Sequence, residues 1–217
     1  MFNLTWQQLT LLIAPWPLLA STAACYRALQ RRLGAPRAYL LGFCFYWLFW
    51  CAALPLVLLG PQGVARLFWA VANPFGQPWW LGAFCLLGPP LVSLLAVFPR
   101  AVRRTTWQIV AVSAALALVN GTLEELLWRG TFIALFPQSL LLGQVYAAAG
   151  FALWHLAPQT IYPSRGPGGR WGLVAGTLFL GLLWSWVAGS TGTILYLAVA
   201  HIVVDFSALG WDVLFEG

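Results

Sequence analysis

The sequence contains no lysine, and only eleven arginines and five acidic residues occupy its 217 positions. Charged residues make up 7% of the chain, against about 25% in soluble domains. Hydrophobic residues make up 61%, and the mean hydropathy is +0.82. So few ionisable groups cannot clothe a water-soluble globule, and so apolar a chain is not a disordered one. Cys25, Cys44, Cys51 and Cys85 sit in apolar runs with no C-x-x-C pair. That excludes a disulfide-stapled secreted fold, and the four read as small buried hydrophobes. The formal charge of +6 therefore calls for a topological reading, with no nucleic-acid partner expected. The expected fold class is all-α, a polytopic transmembrane helical bundle whose first partner is the lipid bilayer.

A spanning helix needs about 20 mostly apolar residues. Seven stretches qualify, at roughly 6–26, 38–60, 79–99, 107–135, 139–157, 171–188 and 191–209. They divide into N-terminal helices over 1–106, a core over 107–209 and a short tail over 210–217. Nothing before Arg27 is basic, so the first stretch is expected to be an uncleaved span and not a signal peptide. The loop arginines are asymmetric. Arg27, Arg31, Arg32, Arg37, Arg100, Arg103, Arg104, Arg165 and Arg170 fall in the odd loops, and Arg66 alone falls in an even one. Positive charge stays inside, so the N-terminus is expected outside and the C-terminus in the cytoplasm. Trp79, Trp80, Trp107 and Trp171 mark span ends, where amphipathic rings prefer to sit. Pro15, Pro17, Pro55, Pro89 and Pro90 lie within spans; neighbouring helices or water can satisfy the carbonyls they free. Residues 164–170, Gly-rich but without phosphate-loop spacing, read as a flexible loop.

Against this background the polar residues inside spans stand out. Glu124, Glu125, Arg129, His155, His201 and Asp205 all fall within apolar stretches, where a charge costs about 2.5–3.5 kcal/mol on insertion scales and usually marks function. Glu125 and Arg129 are one helical turn apart, as are His201 and Asp205, while Glu124 is rotated by about 100° from Glu125 and free to face elsewhere. Phe151, one turn before His155, is placed to wall the same cavity. At about 1.5 Å per residue, Glu124 and His155 lie ~20 and ~27 Å from the hairpin turn near Pro137, and His201 lies ~15 Å from the turn near Gly189. A shared polar site is thus feasible. Singly, the Glu125–Arg129 pair and each histidine also read as structural packing groups.

Glu124-Glu125-Leu126-Leu127-Trp128-Arg129-Gly130 fits E-E-x-x-x-R, Phe151 to His155 fits F-x-x-x-H, and His201 to Asp205 fits H-x-x-x-N/D. In this order, on successive apolar helices, the motifs resemble those of the CAAX protease and bacteriocin-processing family. This family, also called ABI, contains the type II CAAX prenyl endopeptidases. The resemblance covers residues ~107–209. It implies an intramembrane endopeptidase of glutamate type, sometimes described as a metalloprotease, acting on a membrane-anchored protein or peptide. By the same resemblance Glu124 is the base that activates water with His155 as partner. Glu125 and Arg129 orient it, and His201 and position 205 stabilise the oxyanion. Asp205 departs from the Asn form of the motif: an Asn amide donates a hydrogen bond and an ionised Asp does not. Asp205 can instead keep His201 protonated. No metal-ligand spacing such as H-E-x-x-H is present, so no cofactor is expected, with a zinc or iron site on the two histidines and the carboxylates as the alternative. Other classes remain open, namely a transporter with a proton relay or a non-catalytic partner-binding immunity protein. The all-arginine complement suits a GC-rich bacterium and its inner membrane.

Overall fold

A computed structural model of the chain describes residues 4–103 and 105–215. Among them helix is the only regular structure. Eight helices follow in order: α1 (Trp6–Ile13), α2 (Pro15–Leu33), α3 (Ala35–Leu67), α4 (Trp79–Val102), α5 (Trp107–Leu135), α6 (Leu140–Thr160), α7 (Gly169–Thr191) and α8 (Leu195–Ala208). The five from α3 to α7 are each long and apolar enough to cross a bilayer. The pair α1 and α2, bent by 43° where Pro15 opens the second helix, adds a sixth if it acts as one span. With its 14 residues, α8 rises only ~21 Å, less than the ~30 Å of a hydrocarbon core. The protein is an all-α polytopic membrane bundle.

The helix ends follow local chemistry. Gly34 at φ 78° stops α2, and Arg31 and Arg32 occupy its last turn, where cations suit the helix dipole. Gly60, at φ 69° before Pro61, breaks α3 internally; proline disfavours the α conformation in the residue before it. Thr106 caps α5 by accepting from Ile109 N. Trp79, Trp107 and Trp171 stand at or near helix starts with over 60% of their surface exposed, as expected of interfacial rings. Turns of π-helix precede Pro55, follow Pro89–Pro90 and occupy Leu126–Thr131 directly after the two glutamates. Cys51 and Cys85 are buried, Cys25 and Cys44 half-buried, and all four are free thiols.

Both apolar clusters draw on the two halves of the chain. One joins Leu11, Leu18, Trp47 and Leu58 to Trp128, Phe151 and Trp211; the other joins Leu67 and Cys85 to Trp184 and Leu197. The turn before α8 is pinned to the end of α3, where Leu67 O accepts from Ile194 N at 2.8 Å and from Thr193 Oγ1 at 2.8 Å. From there α8 runs back along α5. Gly121 permits that approach: a Cβ there would sit 2.7 Å from Ile202 N and 3.1 Å from Ile202 Cα, one residue beyond His201. Small residues let membrane helices pack this closely. Gly121→Ala is expected to force the helices apart, destabilising the fold by about 1–3 kcal/mol. Thermal unfolding in detergent checks this as a lowered midpoint.

Candidate active site

One turn of α5 presents Asn120, Glu124 and Glu125, and all three are buried. Their directions differ as the helical rotation requires. Glu125 turns toward Arg129, whose Nη1 lies 3.0 Å from Glu125 Oε1, both side chains fully buried. The same oxygen receives His201 Nδ1 from α8 at 2.8 Å. Glu124 turns instead into a cavity of about 370 Å³ that is also lined by Asn120, His155, His201 and Asp205. Its Oε2 accepts from Asn120 Nδ2 at 3.2 Å and lies 3.5 Å from His201 Nε2. His201 Nε2 is equally 3.5 Å from Asp205 Oδ1. Both imidazole nitrogens thus face carboxylate oxygens, which suits a ring that donates from both.

His155 enters the cavity from the last turn of α6. Its Nδ1 is 2.8 Å from Phe151 O; a carbonyl only accepts, so Nδ1 bears hydrogen and Nε2 is left as the acceptor of a neutral ring. The imidazole nearest Glu124 is that of His201, and no hydrogen bond joins Glu124 to His155 among the described contacts. Phe151 takes a different place from the one expected. It is not a cavity wall but lies beneath the Arg129 guanidinium, 4.1 Å from Cζ to ring centroid, with its edge to His155 at 4.7 Å. Trp184 approaches the same guanidinium at 5.7 Å. The aromatic faces supply a cation–π environment where hydrogen-bond partners are few. Trp154 takes the expected place of Phe151 in the wall.

The sequence reading missed the contribution of α3 and of Asn120. Trp47 Nε1 donates to Asn120 Oδ1 at 2.8 Å, and Asn120 Nδ2 donates to Asp205 Oδ2 at 2.7 Å. Tyr46, stacked on Trp154 at 3.8 Å, accepts from Trp128 Nε1 at 2.7 Å and so backs the wall behind Trp154. An available signal for Asn120 was an amide one turn before Glu124 in an otherwise apolar run. Trp47 and Tyr46 had none.

The mouth of the cavity is formed by the 158–164 turn, the start of α7 at Leu173, Tyr39 of α3 and the Gly210–Trp211 turn. Buried Gln159 shapes that turn, donating to His155 O at 3.0 Å and accepting from Ser164 N at 3.3 Å. This is the end of the bundle where Arg27, Arg31, Arg32, Arg37, Arg165 and Arg170 lie; Arg104 falls outside the described residues. As a metal-ligand set the polar groups fit poorly. His201 has both nitrogens engaged, and among the described residues no three His, Cys, Asp or Glu side chains are grouped to hold an ion.

The site can therefore hold a carbonyl group beside a buried carboxylate, two imidazoles and an amide donor. No curated protein and no solved structure matches the chain. Residues 105–207 match the family model described as type II CAAX prenyl endopeptidase Rce1-like, a stretch that runs from the cap of α5 to the last turn of α8 and contains all six motif residues. Through that stretch, just under half its length, the chain is similar to the Rce1-like type II CAAX prenyl endopeptidases, a protease family.

Proposed function

We propose that the protein is a glutamate-type intramembrane endopeptidase that hydrolyses a peptide bond of a membrane-anchored protein or peptide. The observation that carries the reading is Glu124, a buried carboxylate that lines the cavity together with His155, His201 and Asp205. In the reaction, Glu124 takes a proton from water while the water oxygen attacks the scissile carbonyl carbon. The carbonyl electron pair moves to oxygen, where His201 Nε2–H is placed to meet the negative charge. Collapse of the tetrahedral intermediate breaks the C–N bond, and the departing amine takes the proton from Glu124. His155, its Nδ1 fixed on Phe151 O, offers Nε2 as acceptor for the second water proton. Glu125 and Arg129 hold His201 from behind, and Asp205 holds its Nε2 side.

Cleavage of tagged single-span membrane proteins from its own host, in liposomes, tests the reading. His155→Ala is expected to lower cleavage by about 10²-fold or more, with a chelator harmless. Chelator sensitivity that zinc restores would replace the metal-free mechanism, and unchanged cleavage by the variant would remove His155 from it. Loss of function restricted to proton movement across the liposome would favour a relay transporter.

The arginine distribution supports an N-terminus outside, a C-terminus in the cytoplasm and a cavity open to the cytoplasmic face of a bacterial inner membrane. This orientation does not depend on α8 crossing fully, since α8 ends beside the cavity mouth whatever its depth at the start. A reporter active only outside the membrane should be silent when fused after Gly217 and active when placed in the 68–78 connection. The reverse pattern overturns the orientation.

A further inference from the structure

Ionised Asp205 cannot donate to an oxyanion, yet it stands where the motif also admits an amide. An amide is nevertheless present in the cavity, on the opposite helix. Asn120 of α5 lines the cavity and reaches both Glu124 Oε2 and Asp205 Oδ2 through Nδ2, at 3.2 and 2.7 Å. Its orientation is unambiguous. An indole N–H can only donate, so the atom 2.8 Å from Trp47 Nε1 is the carbonyl oxygen and the nitrogen points at the two carboxylates. We propose that Asn120 is a catalytic residue whose Nδ2–H donates to the oxyanion of the tetrahedral intermediate, with Trp47 of α3 as the positioning residue that aims it.

The geometry assigns the two amide hydrogens different tasks. The one on Asp205 is held in the shorter bond and anchors the group across α5 and α8. The other makes the longer contact to Glu124, and it is freed for the oxyanion when Glu124 takes the water proton and its carboxylate charge is lost. An amide held on both sides needs no reorganisation as charge develops, which is where such donors act most strongly. Residues 1–106 thereby contribute to the chemistry through Trp47, although the family match begins at residue 105.

This inference rests on the endopeptidase reading, and the experiment separates the two. Cleavage of a farnesylated fluorogenic peptide and of tagged single-span host proteins is measured in liposomes for wild type, E124Q, N120A, N120D, D205N and the exchange N120D/D205N. N120A is expected to lower kcat by about 10²–10³-fold with KM within about threefold. N120D, isosteric but without donors, should fall at least as far. D205N should stay within about tenfold of wild type, because its carbonyl still accepts from Asn120. The exchange places the amide on α8 and the acceptor on α5, and it should recover at least about tenfold over N120D. A general packing defect would not be repaired by exchanging the two groups, and monodisperse elution of each variant checks folding. N120A or N120D within about threefold of wild type in kcat, or an exchange no better than N120D, overturns the donor assignment while an inactive E124Q leaves the endopeptidase reading standing. A wild type that cuts nothing, or an E124Q that cuts as well as wild type, overturns both.

Discussion

Glu124→Gln should reduce cleavage by about 10²–10⁴-fold, the range supplied by a positioned general base, with little change in thermal stability. Gln keeps the length and an acceptor oxygen for Asn120 Nδ2, so the contact at 3.2 Å survives the substitution. What it loses is the ability to take a proton from water. His201 Nε2 approaches the same carboxylate oxygen at 3.5 Å, so the amide settles with its oxygen toward both donors and its N–H₂ in the place of the other oxygen. The measurement is kcat beside the unfolding midpoint of the same preparation. Retained cleavage would overturn Glu124 as the base and the glutamate-type reading with it.

Glu125→Ala should produce the largest loss of stability of any single change at the site. Arg129 is fully buried, and among the described residues its one ionic contact is Glu125 Oε1 at 3.0 Å. Breaking a buried pair by removing one partner costs about 3–5 kcal/mol, because the remaining charge stays in a medium that cannot solvate it. The faces of Phe151 and Trp184 soften that penalty without removing it. Replacing both members by apolar residues of similar volume, as in E125L/R129M, should restore most of the lost stability. It should not restore cleavage, since His201 Nδ1 then has no acceptor within reach of its 2.8 Å contact. Unfolding midpoints and cleavage rates for the single and double variants separate the two roles of Glu125. A single variant that melts like wild type would show that Arg129 finds another counter-charge.

The motif residues were legible in the sequence because each is a polar group that an apolar run would otherwise exclude. Their rotation was legible too: a 100° step sends Glu124 to the cavity and Glu125 to Arg129, as the structure reports. Periodicity could not show the π turn at Leu126–Thr131, nor the position of Phe151, because both depend on how α6 packs against α5. Hydropathy proposed seven spans, yet α8 is cut to 14 residues by Thr193 and Ile194, which tie its start to Leu67. That tie joins positions 126 residues apart, and no local pattern encodes it. Trp47 was hidden for the same reason. In a chain with fourteen tryptophans, the one whose indole reaches the site is distinguished only by its partner on another helix.

The short rise of α8 has a consequence for the lipid around it. Val199 is more than half exposed, so part of this helix meets hydrocarbon while falling ~9 Å short of a ~30 Å core. A bilayer matched to α3 through α7 is mismatched here and responds by thinning locally. Such a depression would lie beside the helix that carries His201 and Asp205, so acyl-chain length is expected to set how deep a lipid-borne segment sinks to reach them. On the endopeptidase reading, the thickness of the surrounding membrane is therefore expected to govern encounter with substrate, separately from any side chain in the cavity.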